Sequence, residues 1–243
     1  MKVKKDIIIG LGVIFVIASA IIGGTIWQKN RARTTLAERI LEMGKGGTPQ
    51  GIKDLREAIT LYEKEIEQHV KDAAQTGMYW KILATRLHDR ALYGEALDAY
   101  ERAIYYMPED HSLHFMRGLC AAIIAKSRYD NPTEQAHYFT LAEHAYLRAI
   151  ELEPDYSRPR YSIAVLYVYE LGLPEEAIPH LTHYLELSRN NVDGVLLLAA
   201  AQYMSGNDNE ALALCDRALT LTKDRNKIAE TEQFKNRILN SRY

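Results

Sequence analysis

Gly77–Asp110 reads GMYWKILATRLHDRALYGEALDAYERAIYYMPED. Trp80, Leu83, Ala84 and Leu87 recur at three- and four-residue steps, so they share one face of a helix. Tyr93-Gly94 then interrupts the pattern. Ala96, Tyr100 and Ala103 mark the packed face of a second helix, which Pro108 stops. The alanines let two helix backbones approach closely, while Trp80 and Tyr100 fill the space beside them. The stretch predicts two amphipathic helices joined by a tight turn.

The second half of this pattern recurs. Ala-x3-aromatic-x2-Ala-x4-Pro reappears as Ala142, Tyr146, Ala149 and Pro154. Weaker copies are Ala177, Leu181 and Tyr184, then Ala211, Cys215 and Ala218. Ala177 and Ala211 are 34 residues apart, Ala142 and Ala177 are 35, and Ala96 and Ala142 are 46, one repeat plus 12. Four units in phase predict a solenoid, in which each unit buries its apolar face only against its neighbours.

Trp80, Leu83, Ala84, Leu87, Ala96, Tyr100, Ala103 and Pro108 together resemble the tetratricopeptide repeat, with Leu87 aliphatic where that family favours Tyr. The resemblance implies a right-handed all-α solenoid of helix-turn-helix units. On its 34-residue frame, 77–110, 111–156, 157–191 and 192–223 are four repeats, and 126–135 is an insertion in the second. Asn131-Pro132 there reads as a cap followed by a first-turn proline, which starts the next helix early. The insertion is either a surface loop that adds specificity or a tolerated excursion. Residues 224–243 are polar and helical in pattern, with Ile228, Phe234 and Ile238 on one side, as a terminal cap requires.

Upstream, residues 1–6 are a short charged tail and Ile7–Trp27 runs 21 residues without a charge. At ~1.5 Å per residue this spans about 31 Å, the thickness of a bilayer core. Ala18-Ser19-Ala20 has the form of a signal-peptide cleavage site, yet the apolar run continues through Ile21, Ile22 and Ile26, which favours an uncleaved transmembrane anchor. Lys2, Lys4 and Lys5 favour a cytoplasmic N-terminus, although Lys29, Arg31 and Arg33 oppose it. The expectation is a single-pass protein of a bacterial inner membrane with its repeats in the periplasm. Residues 28–76 hold two juxtamembrane helices, Arg31–Met43 and Ile52–Val70, that form a possible degenerate repeat. Leu55, Ala58, Ile59, Tyr62 and Ile66 face one way on the second, and Asp72–Thr76 connects onward.

The formal charge of −2 gives no basic footprint for nucleic acid. Two cysteines cannot form a disulfide framework; Cys120 and Cys215 fall on apolar helix faces. His111-x-x-His114 and His180-x-x-His183 lack a carboxylate or thiol partner at a fixed step, so no metal or other cofactor is expected. No phosphate loop or nucleophile elbow is present, which argues against an enzyme.

In the tetratricopeptide family, first-helix side chains that do not pack between repeats line a concave groove. Carried over, the groove positions are Met78, Lys81, Thr85 and His88; Ser112, Phe115, Leu119 and Ala122; Arg158, Tyr161, Val165 and Val168; Asp193, Leu196, Ala200 and Tyr203. Beyond the first repeat they are mostly apolar and suit a helical or extended protein or peptide partner. Lys81 matches one place of the family's carboxylate clamp, but Thr85 and Met116 stand where asparagines are needed, so a chaperone tail is not the expected ligand. The chain reads as a non-catalytic scaffold that assembles partners of an envelope complex. The alternatives are a periplasmic chaperone-like factor and a structural subunit that forms homo-oligomers.

Overall fold

The computed structural model describes residues 52–240, all of whose regular structure is helical. In chain order the helices are α1 (Ile52–Asp89), α2 (Tyr93–Tyr106), α3 (His111–Ser127), α4 (Pro132–Leu152), α5 (Ser157–Val165), α6 (Pro174–Leu187), α7 (Val192–Met204), α8 (Asp208–Leu221) and α9 (Arg225–Asn240). Leu166–Leu171 continues α5 as a π-helical turn. The expected membrane span 7–27 and the helix at Arg31–Met43 lie outside the described residues. Within them, no helix is long and apolar enough to cross a membrane.

Contacts divide the chain into 1–72 and 73–243. In the described part of the first unit, 52–72, Leu55, Ile59, Tyr62, Ile66 and Val70 are exposed, and Ala58 is buried. Short pairs along the helix, such as Lys71 with Glu67 at 2.6 Å, decorate its polar side.

In the second unit, the repeated alanines are the core. Ala96, Ala103, Ala142, Ala149, Ala177, Ala211 and Ala218 are all fully buried, and Tyr100, Tyr146, Leu181 and Cys215 fill the large slot beside them. A small side chain every seventh residue lets the paired helices close, and the larger neighbour fills what remains.

Four local expectations need correction. A connection predicted at Asp72–Thr76 is absent: α1 runs through it as one 38-residue helix, because Ala73, Ala74 and Gln75 contain no helix breaker. The break predicted at Tyr93-Gly94 falls earlier, at Arg90–Leu92. Ala91 takes the left-handed conformation (φ 59°), with Ala91 N donating to His88 O and Leu92 N to Leu87 O, so helix α2 already begins at Tyr93. Leu83, read as packed, is 43% exposed, whereas Ala84 on the same helix is fully buried.

The fourth correction is the insertion. It is not a surface loop, because it lengthens the helices. α3 has 17 residues against 13 in α7, α4 has 21 against 14 in α8, and the intervening turn has four (Arg128–Asn131) against three (Ser205–Asn207). The differences of four, seven and one account for all twelve extra residues. Asn131 caps α4 as its sequence suggests, its side chain accepting from Glu134 N at 3.2 Å.

Candidate groove

Three of the first repeat's four expected groove residues, Lys81, Thr85 and His88, are engaged in contacts within the protein. Lys81 donates to Asp110 Oδ2 at 2.6 Å and to Ser112 Oγ at 3.0 Å. Asp110 caps α3 by accepting from Ser112 N and Leu113 N. Burial raises the pKa of the Asp110 carboxyl, but the bonds from Lys81 and Ser112 outweigh it and hold that pKa below its ordinary value. Thr85 Oγ1 donates back to Lys81 O, and His88 Nδ1 lies 3.4 Å from Cys120 Sγ. Burial pushes the Cys120 thiol up to about 12, leaving it a packing group rather than a nucleophile. Met78 is exposed.

In the second repeat the carried-over positions divide. Phe115 does not line a surface: it is 5% exposed and packs its ring on Tyr146 and Tyr156 at 6.0 and 5.4 Å. The reason is the close approach at Gly118, where an added Cβ would stand 2.6 Å from the Tyr146 ring. Helices that close draw the neighbouring turn of α3 into the core. Leu119 and Ala122, farther along, line an apolar cavity of about 270 Å³ with Phe139, Tyr146, Tyr161 and Val165. Val168 is buried, and Arg158 stays exposed outside the cavity.

Tyr161 also borders a second cavity of about 590 Å³, floored by Leu196, Ala200 and Tyr203 of α7. Its remaining wall comes from places that the groove frame omits. Tyr169 is supplied by the π turn, and Glu230, Phe234 and Arg237 by α9. Helix α9 is anchored by Ile238, buried beside Ala199, Ala211 and Cys215. Phe234 meets Tyr203 edge-on at 5.8 Å, a favourable aromatic geometry. Asp193 is bound by Lys227 of α9 at 2.5 Å.

The π turn answers the 35-residue step in the sequence. Residues 157–173 hold the first helix and turn of their repeat in 17 residues, where 192–207 use 16. A single added residue rotates every later side chain by about 100°, so it is absorbed as one wide turn. Tyr167 O accepts from both Gly172 N and Leu173 N, with Gly172 at φ 64°. The Tyr167 hydroxyl donates to Glu143 at 2.9 Å; burial and that carboxylate push its pKa up. The same turn places Glu170 at 2.6 Å from Lys126 of α3, an ion pair on the rim of the smaller cavity. Tyr169, Glu170 and the α9 residues were not among the carried-over positions. The signals for them were the one-residue excess between Ala142 and Ala177 and the Phe234–Ile238 stripe.

The two cavities share Tyr161 and make a trough whose lining is mostly aliphatic and aromatic, with five charged side chains, Lys126, Glu170, Asp193, Glu230 and Arg237. No group of three or more metal-ligating side chains occurs among the described residues.

A model of the tetratricopeptide repeat family matches residues 169–230. A TPR repeat-containing protein of Borreliella burgdorferi is 24% identical over 209 residues, 86% of this chain and 87% of that one. Among solved structures, MamA superposes with a TM-score of 0.53 at 17% identity, over 77% of this chain and 90% of its own. A thermophilic TPR protein of Thermus thermophilus gives 0.53 at 19% identity, over 81% and 97%.

Proposed function

We propose that this chain, a tetratricopeptide-repeat protein, is a non-catalytic scaffold that holds protein partners at a membrane as an assembly subunit of an envelope complex. The observation that carries the reading is the trough centred on Tyr161. It is open and lined largely by aliphatic and aromatic side chains, the surface that a helical or extended partner segment covers. The charge-free run Ile7–Trp27 supports a membrane tether. The short tail with Lys2, Lys4 and Lys5 supports a cytoplasmic N-terminus and repeats in the periplasm of a bacterial inner membrane.

In-cell photo-crosslinking from Leu196 tests this directly. One discrete partner, identified by mass spectrometry and lost on Tyr203→Ala, is the expected outcome, and the partner's own compartment fixes that of the repeats. Many unfolded clients would turn the reading toward a periplasmic chaperone-like factor. No product from Leu196 would sink the trough as a partner site.

A second reading, self-association, is favoured by the exposed row on α1. Ile59 and Ile66 are seven residues apart, as are Leu55 and Tyr62, a spacing that two copies of one helix can share. Sedimentation of the protein in detergent, compared with Ile59→Glu/Ile66→Glu, decides it: a dimer that the double variant dissociates supports the reading, and a monomer at all concentrations removes it.

A further inference from the structure

Two charged side chains of the trough, Arg237 and Glu230, make no ion pair among the described residues, and Arg237 is the cation of the two. Lys126 and Glu170 neutralise one another at 2.6 Å. Asp193 is bound by Lys227, and Glu230 acts electrostatically on the same lysine. Arg237 lines the larger cavity beside Phe234, is exposed, and makes no ion pair or hydrogen bond among the described residues. Tyr161, Tyr169 and Tyr203 line the same space, and their hydroxyls likewise make no hydrogen bond among the described residues. A cation in the last turn of α9 suits the helix dipole. The dipole accounts for the charge but not for its position on the wall of an aromatic cavity.

We propose that the trough selects an acidic segment of a protein partner. An apolar side chain seats between Leu119 and Val165, and an aspartate or glutamate reaches Arg237. The guanidinium is a planar fork that matches a carboxylate with two parallel bonds, and Phe234 and Tyr203 shield that pair from water. The three phenols then serve the peptide backbone, each able to donate to a carbonyl or accept from an N–H. Tyrosine and arginine are also the side chains that most often carry binding energy at the centre of an interface. A basic residue at the same place would meet Arg237 as a like charge, which disfavours it there. The proposal rests on the trough being the partner site, and it adds the chemical class of what enters.

The test is selection of a phage-displayed library of random short peptides on the full-length protein in detergent, followed by fluorescence anisotropy with the best peptide. Selected sequences should carry Asp or Glu near an apolar residue and lose affinity on Tyr203→Ala. Arg237→Glu should weaken the acidic peptide by about tenfold or more, as expected for loss of a charge-assisted pair. The same peptide with its acid changed to Lys should regain binding to Arg237→Glu, a rescue that a misfolded variant could not give. Peptides that depend on Tyr203 but show no acidic preference, or an affinity that Arg237→Glu leaves within about twofold, would overturn the proposal while leaving the trough as a partner site. Peptides insensitive to Tyr203→Ala, or no selected peptides at all, would overturn both.

Discussion

Helix pairs α3–α4 and α7–α8 are the same repeat built at two lengths. The shorter turns at Ser205–Asn207, with Gly206 in the left-handed conformation (φ 80°). The longer runs on to a tip at Arg128–Asn131, where Tyr129 is 83% exposed. That tip is closed by an Arg128–Glu134 ion pair at 3.2 Å and by Gln135 Nε2 donating to Ala125 O at 3.2 Å. The alanine signature keeps its packing in both, and the reason is phase. An α-helix returns to the same face every ~3.6 residues, so additions of about four and seven residues amount to one and two turns. The packed stripes of α3 and α4 therefore still point at each other. One added residue in α5 cannot be hidden that way, and it appears as the π turn. Long insertions in whole turns are thus invisible to the core, while a one-residue insertion reshapes the surface and delivers Tyr169 and Glu170 to the trough.

The largest test of the comparison concerns two tyrosines that each face a glycine, one inside the α3–α4 pair and one where α6 meets α7, the first helix of the shorter pair. Tyr146, facing Gly118, is 2% exposed, whereas Tyr184, facing Gly194, is half-buried. Tyr146→Ala should cost about 3–5 kcal/mol in urea unfolding, the range for a buried aromatic, and Tyr184→Ala distinctly less. Gly118→Ala should cost roughly 1–3 kcal/mol by overpacking, with Gly194→Ala below it because the Tyr184 ring can move outward. Equal costs at the two sites would mean that the contact inside the longer pair packs no more tightly than the one between α6 and α7.

The turns come next. Gly206→Ala puts a Cβ into the left-handed region and should destabilise by about 1 kcal/mol, read as a lower thermal midpoint. Ala91 already carries that strain at φ 59°, so Ala91→Gly should move the midpoint the other way, by a similar or smaller amount. An unchanged midpoint for Ala91→Gly would mean that the unfolded-state entropy of glycine offsets the relief.

The smallest expected effect is pH-dependent and specific to the longer pair, since residues 192–221 contain no histidine. His114 is buried, with Nε2 at 2.8 Å from Pro108 O, and burial lowers its pKa from 6.5. As pH falls, the unfolded chain takes up the proton first, so this contribution is intact above pH 6.5 and is lost below it toward the depressed folded-state pKa. Protection factors for hydrogen exchange, corrected for the intrinsic rate at each pH, should therefore fall more in α3–α4 than in α7–α8 on acidification, and His114→Gln should flatten the difference. An equal loss of protection in both pairs would remove His114 as the cause.

Much of the architecture was legible because it depends on spacing. The period of Ala96, Ala142, Ala177 and Ala211 determines that helices pair and that their small faces meet, and the 46- and 35-residue steps mark where length was added. Asn131-Pro132 fixes a helix start and Pro108 a helix end by local chemistry alone. Eight of the carried-over positions, Leu119, Ala122, Tyr161, Val165, Asp193, Leu196, Ala200 and Tyr203, border the two cavities. What spacing could not supply is how closely two helices approach and which turns a distant element covers. Phe115 sits on the same stripe as Leu119, yet the closure of Gly118 on Tyr146 buries one and leaves the other at a cavity edge. Arg237 and Phe234 enter the trough only because burial of Ile238 sets the rotation of α9. Periodicity is a property of one helix and can be read along the chain. Depth and facing are properties of several helices at once, and only the packed tertiary structure decides them.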